Sequence, residues 1–154
     1  MQTVIGSKIN QKAPNCLLNT FGESEQVTIN QLQGKVLYVD FWASWCPPCV
    51  KSFSFLNDLQ HDLGNQELYI LGINLDERLS DAQDFLAKVP NSFDVVTDPG
   101  QQCAQSFDIK AMPSSFLIDR NGVIRYVHLG FRSGDTDQLR AQVQKILEEE
   151  ATKS

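Results

Sequence analysis

The chain has 154 residues, 42% of them hydrophobic and 21% charged, a size and composition with which one ordinary domain folds without metals or a disulfide scaffold. No apolar run approaches the roughly 20 residues of a membrane span, and a formal net charge of -6 argues against sequence-independent binding to nucleic acid or anionic lipid, which need a positive face. The four cysteines, Cys16, Cys46, Cys49 and Cys103, are too few for a disulfide-built mini-protein, and only one pair is close in sequence, which directs attention to chemistry at that pair.

The opening stretch MQTVIGSKINQKAP has neither a basic start followed by a hydrophobic segment nor a small-residue cleavage site. That pattern fits a cytoplasmic protein, or one whose leader lies outside this sequence. CLLNTFGESEQVTI then reads as two short strands around a Gly-containing turn, a hairpin. INQLQGK supplies one helical turn stopped by Gly34, and VLYVDFW is an almost continuous apolar run, the pattern of a strand buried on both faces at the centre of a sheet. From Pro47 to Gly64, Val50, Phe53, Leu56, Leu59 and Leu63 recur at spacings of three and four, so a helix is expected that opens on the cysteine pair.

ELYILGINL repeats the buried-strand pattern, and SDAQDFLAKV predicts a helix with Ser80 as N-cap and Pro90 as stop. Strand, helix, strand, helix implies parallel pairing and an α/β fold. FDVVTD predicts a short strand and PGQQCAQSF a short helix. SFLIDRNGVIRYVHLG predicts an antiparallel hairpin turned at Asn121-Gly122, the pair best suited to a type I′ turn. Leu139, Val143, Ile146 and Leu147 fall on one face of a last helix, after the capping candidates Ser133 and Thr136. No repeat or linker divides the chain, so residues 1–154 are expected to form one domain.

WCPPC, residues 45 to 49, is the candidate site. The N-H groups and dipole at a helix N-terminus stabilise a thiolate, taking its pKa from about 8.5 to between about 3.5 and 7.5. Cys46, at the first turn, is expected to be an exposed attacker and Cys49, three residues on, a protected resolver. Pro47 and Pro48 lack N-H groups, which leaves the Cys49 amide as the main donor for the Cys46 sulfur. Only moderate thiolate stabilisation follows, and a reducing pair near about -270 mV rather than an oxidising one near about -120 mV.

Other uses of the pair fit less well. A structural zinc site needs about four ligands, whereas this chain offers one C-x-x-C, two lone cysteines, His61 and His128. Haem attachment needs His directly after the second cysteine, and residue 50 is Val. A purely structural disulfide across so short a loop stabilises little. Cys16 and Cys103 lie in apolar contexts and are expected to be small core residues, with a bond between them as the alternative. Trp42 is expected in the core and Trp45 as an apolar lip beside Cys46.

VDFWASWCPPC, followed 64 residues after Cys49 by AMPSSFLID around Pro113, resembles the thioredoxin superfamily, and within it the TlpA/ResA-like thiol:disulfide oxidoreductases. The similarity runs from APNCLL to the last helix. It implies a thioredoxin-like fold: a central mixed sheet flanked by helices, with an N-terminal hairpin and a helix-strand insertion between Leu79 and Phe107. By that resemblance Cys46 is the nucleophile, Cys49 the resolving thiol and Pro113 a cis-proline, an isomer found at about 5% of X-Pro bonds. Met112 would offer backbone to a bound partner strand, with Trp45 and Pro47 also on the substrate side.

Asp40 interrupts the apolar strand where thioredoxins carry a buried Asp. Burial disfavours the ionised form, so such a group holds its proton and can exchange it with Cys49; a strand Asp that faces solvent is the alternative. Glu77 falls in the loop where some ResA-like proteins place an acid. Ser52 and Ser54 stand where the first helix often has an acid and a kinking proline, and Ser114 where the cytochrome maturation branch often has Glu.

The implied function is reduction of disulfides in protein partners, with recharging by an upstream thiol donor, no bound cofactor or metal, no nucleic acid, and a monomer in the bacterial periplasm or another extracytoplasmic space. A peroxiredoxin-like thiol peroxidase and a redox-inert binding module or copper metallochaperone are the alternatives. For the first, VDFWASWC lacks the proline that precedes a peroxidatic cysteine; for the second, no His or Met is suitably spaced near the pair.

Overall fold

β3 (Val36–Trp42) is buried at all seven positions, and its side chains alternate between two cores as the two-residue period of a strand requires. Val36, Tyr38 and Trp42 enter one cluster with Phe53, Leu56, Phe85 and Leu139. Leu37, Val39 and Phe41 enter the other with Cys16, Leu71, Cys103 and Phe116. A strand with two dry faces has no place for alternation of polarity, which is why its sequence reads as one apolar run.

The computed structural model describes residues 8–21 and 25–152. Around β3 runs a seven-stranded sheet in the order β2-β1-β5-β4-β3-β6-β7, built from β1 (Leu17–Thr20), β2 (Gln26–Thr28), β4 (Leu68–Asn74), β5 (Asp94–Thr97), β6 (Ser114–Ile118) and β7 (Ile124–Leu129). β3 pairs parallel with β4 and antiparallel with β6, so the sheet is mixed. α1 (Pro47–Leu63), α2 (Leu79–Lys88) and α4 (Thr136–Thr152) supply the first cluster, and the five-residue α3 (Gln102–Ser106) the second. This is the α/β arrangement that the strand-helix alternation and the resemblance imply. The hairpin β1-β2 is antiparallel; its predicted turn includes residues 22–24, which lie outside the described residues.

Trp42 is fully buried and packs edge-on to Phe53, with centroids 4.9 Å apart, and tilted against Phe85 at 5.0 Å. Gly72, on the neighbouring strand, lets that indole come close: a Cβ there would sit 3.1 Å from Trp42 Nε1 and 3.2 Å from Phe93. Gly72→Ala is therefore expected to overpack the core and destabilise by about 1–3 kcal/mol, read from the urea midpoint at unchanged m-value.

Four expectations are corrected. Val50 lies at the edge of the α1 stripe and is 46% exposed, because the helix surface just after the cysteines faces a groove rather than the core. Helix α2 starts at Leu79, with Arg78 rather than Ser80 as the flanking residue, and Asp81 N donates to Arg78 O to close the first turn. The β6-β7 turn is not type I′. Only Gly122 takes a left-handed φ of 81°; Gly122 N donates to Asp119 O, and the Asp119 carboxylate accepts from the amides of Asn121 and Val123. This is a three-residue loop with glycine at its left-handed position, imposed by an Asp that captures both amides.

The fourth correction concerns Cys16 and Cys103, which form a disulfide across a sequence separation of 87, with Cα atoms 5.2 Å apart. Both are core residues as expected, 6% and 1% exposed. What sequence could not give is their meeting, which depends on β1 pairing with β5 and thereby bringing the segment before β1 against α3.

Candidate active site

β3 ends at Trp42 and the chain turns through Ala43–Trp45 into α1. Cys46 is the N-cap residue, in extended conformation, and Pro47 and Pro48 occupy the first turn, where a missing N-H leaves no helical bond unmade and a fixed φ suits the helix. Cys49 follows on the same side, and the two cysteines are joined as a disulfide. The Cys49 amide donates to the backbone carbonyl of Cys46 at 3.0 Å, so the donor expected to serve the sulfur is engaged in starting the helix instead.

In this disulfide form Cys46 is only 3% exposed and Cys49 fully buried. The expectation of an open attacking residue is thus corrected: Cys46 lies in the wall of a groove of about 630 Å³ that Trp45, Pro47, Val50 and Phe85 also line. Trp45, 63% exposed, forms the apolar lip.

The Met112–Pro113 bond is cis. Ser114, the next residue, pairs with Phe41 near the end of β3, so Met112 and Pro113 stand at the same end of the sheet as the cysteines. Pro113 O accepts from Gly130 N at 2.7 Å, and the Ser114 hydroxyl donates to Ala111 O at 2.6 Å. The Met112 side chain packs against both cores.

Asp40 is 1% exposed. It shares the face of β3 that carries Tyr38 and Trp42, the face covered by Cys49 and Phe53. Ser115, opposite it on β6, donates to Asp40 Oδ1 at 3.0 Å, and the Tyr38 hydroxyl donates to Ser115 at 3.5 Å. Asp40 Oδ2 is buried with no hydrogen-bond partner. Burial is the main cause that lifts the Asp40 carboxyl to about 7, against a smaller lowering by the Ser115 bond. Burial, reinforced by Asp40, likewise pushes the Tyr38 phenol far above its ordinary range. Ser115→Ala is expected to raise Asp40 further, because it removes the donor that favours the charged form; the chemical shift of the Asp40 carboxyl followed against pH reads this directly.

A raised folded-state pKa also fixes the sign of the pH effect on stability. The contribution of Asp40 is complete below its unfolded value near 4 and is lost as pH rises towards about 7. Asp40→Asn is expected to be more stable than the wild type at pH 8, on the order of 2–3 kcal/mol after the burial of the amide is deducted, and to show no such gain at pH 4. Urea denaturation at the two pH values checks it.

Glu77 is exposed and lines a second cavity, of about 450 Å³, with Asn74, Leu79 and Gln101; it is not among the residues that line the Cys46 groove. Ser52 is buried and donates to Cys49 O at 3.0 Å, while Ser54 is exposed; α1 runs unbroken from Pro47 to Leu63. Among the described residues no group of three or more His, Cys, Asp or Glu is arranged to hold a metal. His61 pairs with Asp62 at 3.1 Å and His128 with Asp135 at 2.9 Å. Sequence reasoning missed Ser115 and Tyr38; both could have been found by counting two residues along β3 from Asp40 and by aligning the antiparallel partner.

Fold and site together define a thioredoxin-type thiol:disulfide oxidoreductase. The Redoxin family model matches residues 8–143, and the chain belongs to the Redoxin family. It is 28% identical over 145 residues to the thiol-disulfide oxidoreductase ResA of Halalkalibacterium halodurans, covering 94% of this chain and 80% of that protein, and 27% identical over 139 residues to the ResA of Bacillus cereus, covering 90% and 79%. Among solved structures, one from Chlorobium tepidum, provisionally named a thiol:disulfide interchange protein DsbE, matches with a TM-score of 0.86 at 40% identity over 90% of this chain and 97% of that one.

Proposed function

We propose that this protein is a single-domain reductase of protein disulfides acting through Cys46 and Cys49. The observation that carries the reading is the cysteine pair at the mouth of α1, with Cys46 in the wall of an apolar-lipped groove and Cys49 behind it. In the reduced protein the Cys46 thiolate attacks one sulfur of a client disulfide; that S–S bond breaks, a mixed disulfide forms and one client thiolate leaves. Cys49 then attacks the Cys46 sulfur and expels the second client thiolate. Two electrons pass to the client, and the protein is left as the Cys46–Cys49 disulfide. Asp40 takes the proton that Cys49 gives up, a role its raised pKa and free Oδ2 suit.

Trp45, Pro47, Met112 and Pro113 form the client-binding rim in this reading. A thiol donor of lower potential recharges the pair, and no bound cofactor takes part. An oxidising, extracytoplasmic compartment such as the bacterial periplasm is supported by the buried Cys16–Cys103 bond, since such cross-links persist where thiols are not kept reduced. Redox titration against dithiothreitol and glutathione buffers, read by thiol trapping and mass spectrometry, is the test. A two-electron transition of Cys46–Cys49 near about -270 mV is expected, together with turnover of insulin. A transition above the glutathione range would make the protein an oxidant, and none at all would restore a metal-binding or inert role.

A further inference from the structure

The turn that delivers Cys46 to the helix is fastened by a side chain from another element. Ser44, two residues before Cys46, donates its backbone N-H to Asp76 Oδ2 at 2.9 Å and its hydroxyl to Asp76 Oδ1 at 2.7 Å. Both carboxylate oxygens are thus directed at one residue. The turn's internal bond, Cys46 N to Ala43 O, is 3.3 Å long, beyond the ordinary range for such a bond.

Asp76 is itself held. The buried Asn74 donates to Asp76 Oδ2 at 2.8 Å and accepts from Asp76 N at 3.0 Å. Leu75 N donates to Trp42 O at 2.9 Å, and Gln101 Nε2 donates to Leu75 O at 2.9 Å. The loop after β4 is therefore fixed to the end of β3 on one side and to the segment before α3 on the other. A carboxylate with two bonds to a neighbour and one to its own support fixes a side chain more strongly than neutral pairs do.

We propose that Asp76 is a positioning residue for the reaction, its carboxylate holding Ser44 and thereby the Trp45–Cys46 turn in the placement from which Cys46 attacks. This rests on the reading of Cys46 as the attacking thiol. Thiol–disulfide exchange needs the nucleophile in line with the sulfurs it joins, and a misplacement of about 1 Å lowers such rates about 100-fold.

The test compares Asp76→Ala, Asp76→Asn and Ser44→Ala with the wild type in insulin reduction, in the pH profile of Cys46 alkylation by iodoacetamide after reduction, and in thermal unfolding. Asp76→Ala is expected to lower kcat/KM by about 10- to 100-fold, mostly through kcat, and to shift the alkylation profile. Asp76→Asn keeps one acceptor and recovers part of both; Ser44→Ala, which keeps its N-H, falls between. A folded Asp76→Ala protein with wild-type kcat/KM and an unchanged profile overturns the proposal. If that variant does not fold, Ser44→Ala decides, and wild-type values for it overturn the proposal equally. A wild-type protein that alkylates readily but turns over no insulin sinks the reductase reading, while the clamp is still judged by the alkylation profiles.

Discussion

Cys46→Ser is expected to abolish insulin turnover to background, and Cys49→Ser to stop after one step with a client held covalently on Cys46. The asymmetry follows from position. Cys46 is the N-cap residue and lines the groove beside Trp45, whereas Cys49 is fully buried and meets a client only through Cys46. A serine hydroxyl cannot replace the thiolate, because it is not ionised at neutral pH and forms no disulfide. Without Cys49, the mixed disulfide lacks its internal attacker and persists until an external thiol replaces it. Mass spectrometry of Cys49→Ser after incubation with oxidised insulin should show one adduct per chain, releasable by dithiothreitol. If Cys46→Ser traps client and Cys49→Ser does not, the two roles must be exchanged; turnover by both single variants would remove the dithiol mechanism altogether.

The second large effect is on stability. The double variant Cys16→Ala/Cys103→Ala is expected to lose about 4–5 kcal/mol. The bond closes a loop across a separation of 87 residues, and a cross-link that long removes much of the freedom of the unfolded chain. Native geometry holds the Cys103 end: Cys103 N donates to Asp98 Oδ1 at 2.9 Å. Denaturant titration of the oxidised proteins measures the difference. Turnover per folded molecule should be unchanged, since neither residue lines the Cys46 groove. A loss of less than about 1 kcal/mol, together with non-reducing peptide mapping that recovers no Cys16–Cys103 peptide, would mean that the two thiols are not bonded in the working protein.

Much of this molecule is legible in its sequence, and the reasons are physical. β3 announces itself because a strand dry on both faces leaves an unbroken apolar run, and Asp40 stands out because it breaks that run. WCPPC reads as a helix start because prolines fit the first turn of a helix and no later one. What escapes depends on partners distant in sequence. The Cys16–Cys103 bond requires β1 to lie beside β5, and the hold of Asp76 on Ser44 requires the ends of two parallel strands to be level. Asn121-Gly122 misleads because a local rule for two-residue turns is outweighed by Asp119, whose carboxylate captures two amides and selects a longer loop. Val50 misleads because helical periodicity cannot tell a core stripe from the apolar side of a groove.

The Cys16–Cys103 loop encloses β3, the cysteine pair, α1 and β4, and leaves β6, β7 and α4 outside. Pulled by its ends in a force spectrometer, the oxidised chain would extend only through the segments outside the loop, while the backbone between Cys16 and Cys103 could not be drawn out. Reducing that one bond under tension would then free the chain across that sequence separation of 87, a further extension of roughly 300 Å. The segment that holds the Cys46–Cys49 pair would thus be barred from full extension for as long as that bond stays oxidised.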